Sequence, residues 1–269
     1  MMAGHKHDRA PESRRAWLCA LLFPLMAAGC AELPASARQT LADARRDYAS
    51  HDYRSARVKL DGIIAAYASR PETANAFYLR ALCRVGQSNK AAAGEDIQRC
   101  ISVSSDRKLT AKAHAMAAAL LFEAGNTDAA TSHYEQALKA LPDEPNNDLV
   151  HYRYGLCLQR RGSWKNAKVQ FATVFQRYPD GPLADHARRL FDWPHPYFSI
   201  QCDSFRDRRK ANARAHSLSQ AGLRARVEAR PLAGETLYAV LVGQYRTYGE
   251  AQSGLLRATR HADGAFVIP

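Results

Sequence analysis

The side chains able to do covalent or acid–base chemistry in this chain are its cysteines and histidines, and their spacing limits what that chemistry can be. Six cysteines occur. Cys83, Cys100, Cys157 and Cys202 each stand alone among apolar neighbours. No CxxC and no Cys/His ligand spacing appears, so no metal is expected. An even number of thiols would permit disulfides in an oxidising compartment, and the pairing stays open. The simplest reading is four small buried side chains. His114, His133, His151 and His186 are scattered along expected helices and are expected at surfaces. There is no GxSxG, no HExxH, no phosphate loop and no framed pair of carboxylates. A non-enzyme without a cofactor is expected.

Cys30 is the exception, because of what precedes it in "LLFPLMAAGC". Lys6, Arg9, Arg14 and Arg15 lead into an uncharged run of 14 residues from Ala16 to Gly29. A membrane-spanning helix needs about 20 apolar residues, so this run is short for one. A basic start, a short apolar segment and small residues at its end describe a cleaved export signal. Ala27, Ala28 and Gly29 followed by Cys30 resemble the lipobox of bacterial lipoproteins, with Ala27 where Leu is usual. The resemblance implies lipidation of Cys30, removal of residues 1–29 and a new N-terminus. Two or more acyl chains on one residue anchor stably. Ala31 lacks the Asp that favours inner-membrane retention in enterobacterial lipoproteins, which implies the outer membrane, facing the periplasm. Residues 30–36 would form the tether, at most about 25 Å long if fully extended.

A length of 269 residues accommodates one large or two modest domains. The net charge is +12, and cleavage would remove four basic and two acidic residues. A basic chain invites a nucleic-acid reading. Export argues against it and offers other anions, including cell-wall polymers and lipid headgroups.

The elements that would position any site are a repeat and a duplication. "HDYRSA", "GQSNKA", "GNTDAA" and "GSWKNA" align, and their final residues Ala56, Ala91, Ala130 and Ala167 are 35, 39 and 37 residues apart. That lies near the tetratricopeptide period of about 34 residues. In each unit a helix would end at a turn needing a conformationally free residue, at Gly86, Gly125 or Gly162, with His51 in the first unit. "YGLCLQRRGSWKNA" carries Gly155, Gly162, Trp164 and Ala167 at tetratricopeptide positions. Repeats are expected over 37–70, 72–105, 111–144 and 148–181, capped by "LADHARRLF", so residues 37–193 read as an all-α solenoid. "RYPDGPLADHAR" also resembles the ends of repeats in periplasmic proteins of outer-membrane assembly and cell-division coordination. The concave face of such a stack usually holds a peptide or partner domain.

Pro194 and Pro196 cannot continue a helix, so 194–196 reads as a linker. "YFSIQCDSF" then alternates like a strand, with Ile200 and Cys202 on one side and Ser199 and Gln201 on the other. A shift of 40 residues superposes Phe205 on Tyr245, Arg206 on Arg246, Ala211 on Ala251 and Val227 on Val267. The expected object is a small α+β domain of βαββαβ, ferredoxin-like order: a four-stranded antiparallel sheet with two helices on one face and the other face open.

Residues 197–269 resemble the SPOR domain, a septal peptidoglycan-binding module of bacteria. "IQCDSF", Ala211, Leu218, Gly222, "VLVGQY" and Ala251 carry the resemblance. It implies binding of glycan strands stripped of stem peptides, with Gln201 and Ser204 at family positions and Ser199 sharing the Gln201 face. Amide and hydroxyl groups suit a sugar, which offers hydroxyls and N-acetyl groups. Asp203 stands where Gly is usual. Ala239 and Leu241 stand where polar or basic residues often face the glycan, as a patch able to stack on sugar rings. An RNA-binding sheet would carry aromatics on its two central strands, and these face positions have none. Anchor, groove and glycan reader together suggest an envelope adaptor that binds peptidoglycan through one domain and a protein partner through the other, with no nucleic acid. The alternative is an outer-membrane assembly or secretion accessory lipoprotein in which both domains bind protein.

Overall fold

The structure, a computed structural model, describes residues 32–269 apart from Ala233. Cys30 and the expected export signal lie outside the described residues. Eight helices pair in sequence: α1 (Ala35–Ala49) with α2 (Tyr53–Tyr67), α3 (Ala74–Gly86) with α4 (Lys90–Val103), α5 (Arg107–Glu123) with α6 (Thr127–Ala137), and α7 (Asp148–Arg160) with α8 (Trp164–Arg177). A ninth, α9 (Ala184–Phe191), packs on α8. The pairs α1/α3, α3/α5 and α5/α7 touch across repeats, and among the described residues no comparable layer joins the even helices. The odd helices therefore crowd along the inner side of the stack.

The sequence pattern explains the pairing. Ala56, Ala130 and Ala167 are fully buried or nearly so near the starts of the even helices, where a small side chain lets the partner helix approach. In the second unit the expectation is corrected: Ala91 is exposed on the first turn of α4, and Ala93, two residues on, takes the buried place. Gly155 faces the Phe171 ring so closely that a Cβ there would lie 2.6 Å from it. Gly125 and Gly162 adopt φ of 78° and 77°, as a helix-ending turn needs. His51 takes the same left-handed conformation at 65°. In the second unit the expectation at Gly86 is corrected. Gly86 is the last helical residue, and Ser88 makes the turn with φ 61°. Gly86 serves instead to admit the Tyr53 ring. Asn89, Asp106 and Asn126 cap the helices that follow them.

The C-terminal region contains β1 (Phe198–Phe205), α10 (Arg208–Gln220), β2 (Ala225–Leu232), β3 (Glu235–Tyr245), α11 (Tyr248–Ala258) and β4 (Phe266–Ile268). The order β2-β3-β1-β4 is antiparallel throughout, as duplicated βαβ units require. Ile200, Cys202, Val240 and Val242 form a core with Ala211, Ala215 and Leu218 of α10. The two regions share a seam. Trp164 at the start of α8 lies 4.8 Å from the Phe198 ring, and its Nε1 donates to Arg246 O at 3.1 Å. Ala251 belongs to the same cluster, and Trp193, Tyr245, Tyr248 and Val267 pack against it.

At the other end, the expected tether is docked from Glu32 onward. Leu33 is buried, and Arg70 Nη1 donates to Glu32 O at 2.9 Å.

Candidate functional site

One face of the sheet collects every residue proposed from sequence for glycan contact. Cross-strand partners point the same way. Gln201 pairs with Leu241 and Ser204 with Ala239. Strict alternation would send Ser204 to the opposite face. A bulge between Gln201 and Asp203 inserts Cys202 and restores Ser204 to the Gln201 side. The same shift turns Asp203 toward α10, where Arg214 Nε donates to its carboxylate at 2.6 Å and Arg214 Nη2 donates to His261 O. Asp203 is thus half of an ion pair turned away from the face.

The open face expected from sequence is not open. Trp193 packs on Ala239, Leu241 and Ile268. Ala239 is 1% exposed and Leu241 0%. Ser199 is equally buried, with its hydroxyl donating to Gly243 O at 3.1 Å and accepting from Arg226 Nη2 at 2.9 Å. The segment 193–197 lies along β2, and alternate residues meet. Arg230 sits over Trp193 at 5.0 Å, Glu228 faces His195 at 3.7 Å, and Arg226 sits over Tyr197 at 5.5 Å. His195 and Tyr197 stack at 4.9 Å. The cause is simple. Ala239, Leu241 and Ile268 present apolar surface on this face, and the nearby Trp193 indole covers it, removing that surface from water.

What stays accessible is the edge beyond the strap. Gln201 is half-buried, Ser204 exposed, and Phe266, the partner of Gln201 on β4, is 49% exposed. Phe266 escaped sequence reasoning because "GAFVI" is a short strand whose register only its pairing with β1 reveals. Trp193 escaped because it precedes the prolines taken as the linker.

The repeats offer two hollows. One, about 410 Å³, lies between α4 and α5 and is lined by Gly94, Gln98, Ala117, Leu120 and Leu121, with the Lys90–Glu123 pair at its rim. The other, about 420 Å³, is polar and brings His151, Gln170, Arg177, Tyr178 and Asp143 together. His151 Nδ1 meets Gln170 Oε1 at 2.8 Å. The histidines expected at surfaces are in part interior. His114 on α5 and His133 on α6 share a hydrogen bond between Nδ1 atoms at 2.9 Å and, like His151, are half-buried, whereas His186 is exposed. Burial lowers the pKa of His114, His133 and His151.

Cys83, Cys100, Cys157 and Cys202 are buried free thiols. Burial pushes Cys83, Cys157 and Cys202 up to about 11 and Cys100 to about 12, which makes them poor nucleophiles.

Comparison with known proteins agrees with this architecture. Residues 194–269 are a SPOR domain and residues 150–181 a tetratricopeptide repeat, each matched by its family model. The chain therefore carries a tetratricopeptide-type repeat followed by a SPOR-type domain over those residues. SPOR domains bind peptidoglycan and tetratricopeptide repeats bind peptides or proteins. Among solved structures, it is similar to YrrB, described as a tetratricopeptide protein with an unusual peptide-binding site, at 16% identity and TM-score 0.49 over 60% of this chain and 80% of that one. It is also similar to pilF of Pseudomonas aeruginosa, at 17% identity and TM-score 0.48 over 57% and 66%. A search of curated proteins found no match.

Proposed function

We propose that this chain is a non-catalytic envelope adaptor. Its SPOR domain takes glycan strands stripped of stem peptides, its repeats hold a protein or peptide partner, and Cys30 carries the lipid that anchors it in the outer membrane, facing the periplasm. The work of such an adaptor is cell division or envelope organisation. The observation that carries the glycan reading is the bulge after Gln201. It sets an amide, a hydroxyl and the exposed Phe266 ring together at one sheet edge, uncharged hydrogen-bonding groups beside an apolar plane, which suits a sugar. Because Leu33 and Glu32 are docked on the first repeat, a lipid on Cys30 would hold the repeats close to the membrane surface.

Co-sedimentation of the chain with purified sacculi, before and after amidase treatment, tests the reading. Binding should rise on amidase treatment and fall several-fold in Gln201→Ala. Absence of binding to either preparation would overturn it. The second reading, an assembly or secretion accessory with protein on both domains, draws support from the aromatic cover over Ala239 and Leu241. The two part on position in the cell: a septal band belongs to the adaptor, an even peripheral distribution to the accessory.

A further inference from the structure

The centre of the SPOR sheet face is filled by the chain itself. We infer that the strap from Trp193 to Tyr197 is an intramolecular occupant of the glycan site, and that Trp193 holds the slot a sugar ring enters when a denuded strand binds. This inference rests on the glycan-binding reading. The slot is floored by Ala239, Leu241 and Ile268 and capped by the Arg230 guanidinium. An indole fits it as a flat apolar plate. A hexosamine ring presents an apolar C–H face of similar breadth, with hydroxyl and N-acetyl groups at its rim. Gln201 and Ser204, which share the face, stand ready for those rim groups.

Two features make the strap displaceable. Trp193 Nε1 is buried with no hydrogen-bond partner, so the closed position carries an uncompensated desolvation cost. Among the described residues, no backbone hydrogen bond ties 193–197 to the sheet. Pro194 and Pro196 have no N–H to give, and they keep the segment extended without a ladder. The strap is held by side chains, Trp193 on Arg230, on the sheet face and against the Trp164, Phe198 and Ala251 cluster, His195 beside Glu228 and Tyr197 on Arg226. Lifting it breaks no sheet pairing.

An internal competitor weakens apparent affinity by the fraction of molecules in which it is displaced. If the open form is about a tenth of the free population, removing the competitor strengthens binding about tenfold. The test measures binding of the full chain, Trp193→Ala and Arg230→Ala to amidase-treated sacculi, with circular dichroism as the folding control. Trp193→Ala should bind about tenfold tighter, and Arg230→Ala should show a smaller gain of the same sign. In the unsubstituted chain, adding denuded glycan should raise acrylamide quenching of Trp193 fluorescence, with Trp193→Phe as the blank. If the unsubstituted chain binds and a folded Trp193→Ala binds equally or more weakly, the strap inference falls alone. If Trp193→Ala does not fold, Arg230→Ala decides in the same way. If no variant binds denuded glycan, the glycan reading falls and takes this inference with it.

Discussion

At the scale of single residues, the interior of the repeats depends on a few charged and polar contacts that apolar packing cannot replace. Asp96 on α4 is 2% exposed and accepts two hydrogen bonds from Arg80, at 2.9 and 2.6 Å, with Arg84 at 3.0 Å. Arg80 also reaches Asp61 on α2 at 2.6 Å, so its guanidinium joins helices of two repeats. Removing one partner of such a buried network strands the other charges. Asp96→Asn should lower stability by about 3 kcal/mol in urea unfolding. The half-buried histidines predict a pH dependence. His114, His133 and His151 have folded pKa values below the ordinary value, because burial penalises the charged ring. In the unfolded chain they take up protons as pH falls through about 6.5. The unfolded state then binds more protons than the folded one, so this contribution is present above that pH and lost below it. The urea midpoint should be lower at pH 5.5 than at pH 7.5. Replacing all three histidines with Gln should flatten that difference.

At the scale of elements, close approach is set by glycine and alanine positions, and rigidity by the rings opposite them. The Phe171 ring is fully buried and occupies the space a Cβ at Gly155 would need. Tyr152 packs 6.0 Å from the same ring, which leaves it little room to retreat. Gly155→Ala should therefore destabilise the fourth repeat by about 1–3 kcal/mol, the usual cost of overpacking, despite the better helix propensity of Ala. Gly94 on α4 is the control, because nothing lies within 4 Å of its missing Cβ. Gly94→Ala should leave stability unchanged or raise it in the same urea titration. The β1 bulge is the corresponding device in the sheet: one extra residue decides that Ser204 faces the site and Asp203 faces α10.

At the scale of the whole molecule, the two modules meet through an aromatic seam in addition to their covalent link. Trp164 is 8% exposed, and it contributes both a ring contact with Phe198 and a hydrogen bond to Arg246 O. Arg160 extends the seam by lying over the Tyr248 ring at 5.2 Å and the Phe122 ring at 4.8 Å. Gly162 keeps the passage clear, since a Cβ there would stand 3.0 Å from Arg246 O. Trp164→Ala should cost about 3–5 kcal/mol of the contact between modules. Its signature is faster proteolysis around residues 192–197 and two unfolding steps in place of one. A variant that still unfolds in one step and resists cleavage as well as the unsubstituted chain would count against a seam of that strength.

Much of this architecture could be read before any coordinates. Repeat spacing near a fixed period and an offset of 40 residues between half-domains are properties of order along the chain, and local pattern carries them directly. The placement of Gln201 with Leu241 on one face also followed from period-two alternation. Ser204 shows where that logic stops. Its side of the sheet depends on a bulge, which is a mismatch between two strands and has no signature in either one alone. Burial of Ser199, Ala239 and Leu241 depends on a segment that reads as linker. An indole at position 193 carries no mark in the sequence of what it will cover, because apolar burial is non-directional and goes to whatever hollow the fold brings near. The pairing of His114 with His133 and the meeting of Trp164 with Phe198 are of the same kind. Sequence order determined the two modules and their succession. Tertiary structure decided which surfaces of those modules remain free to bind, because exposure is a property of packing between segments distant along the chain.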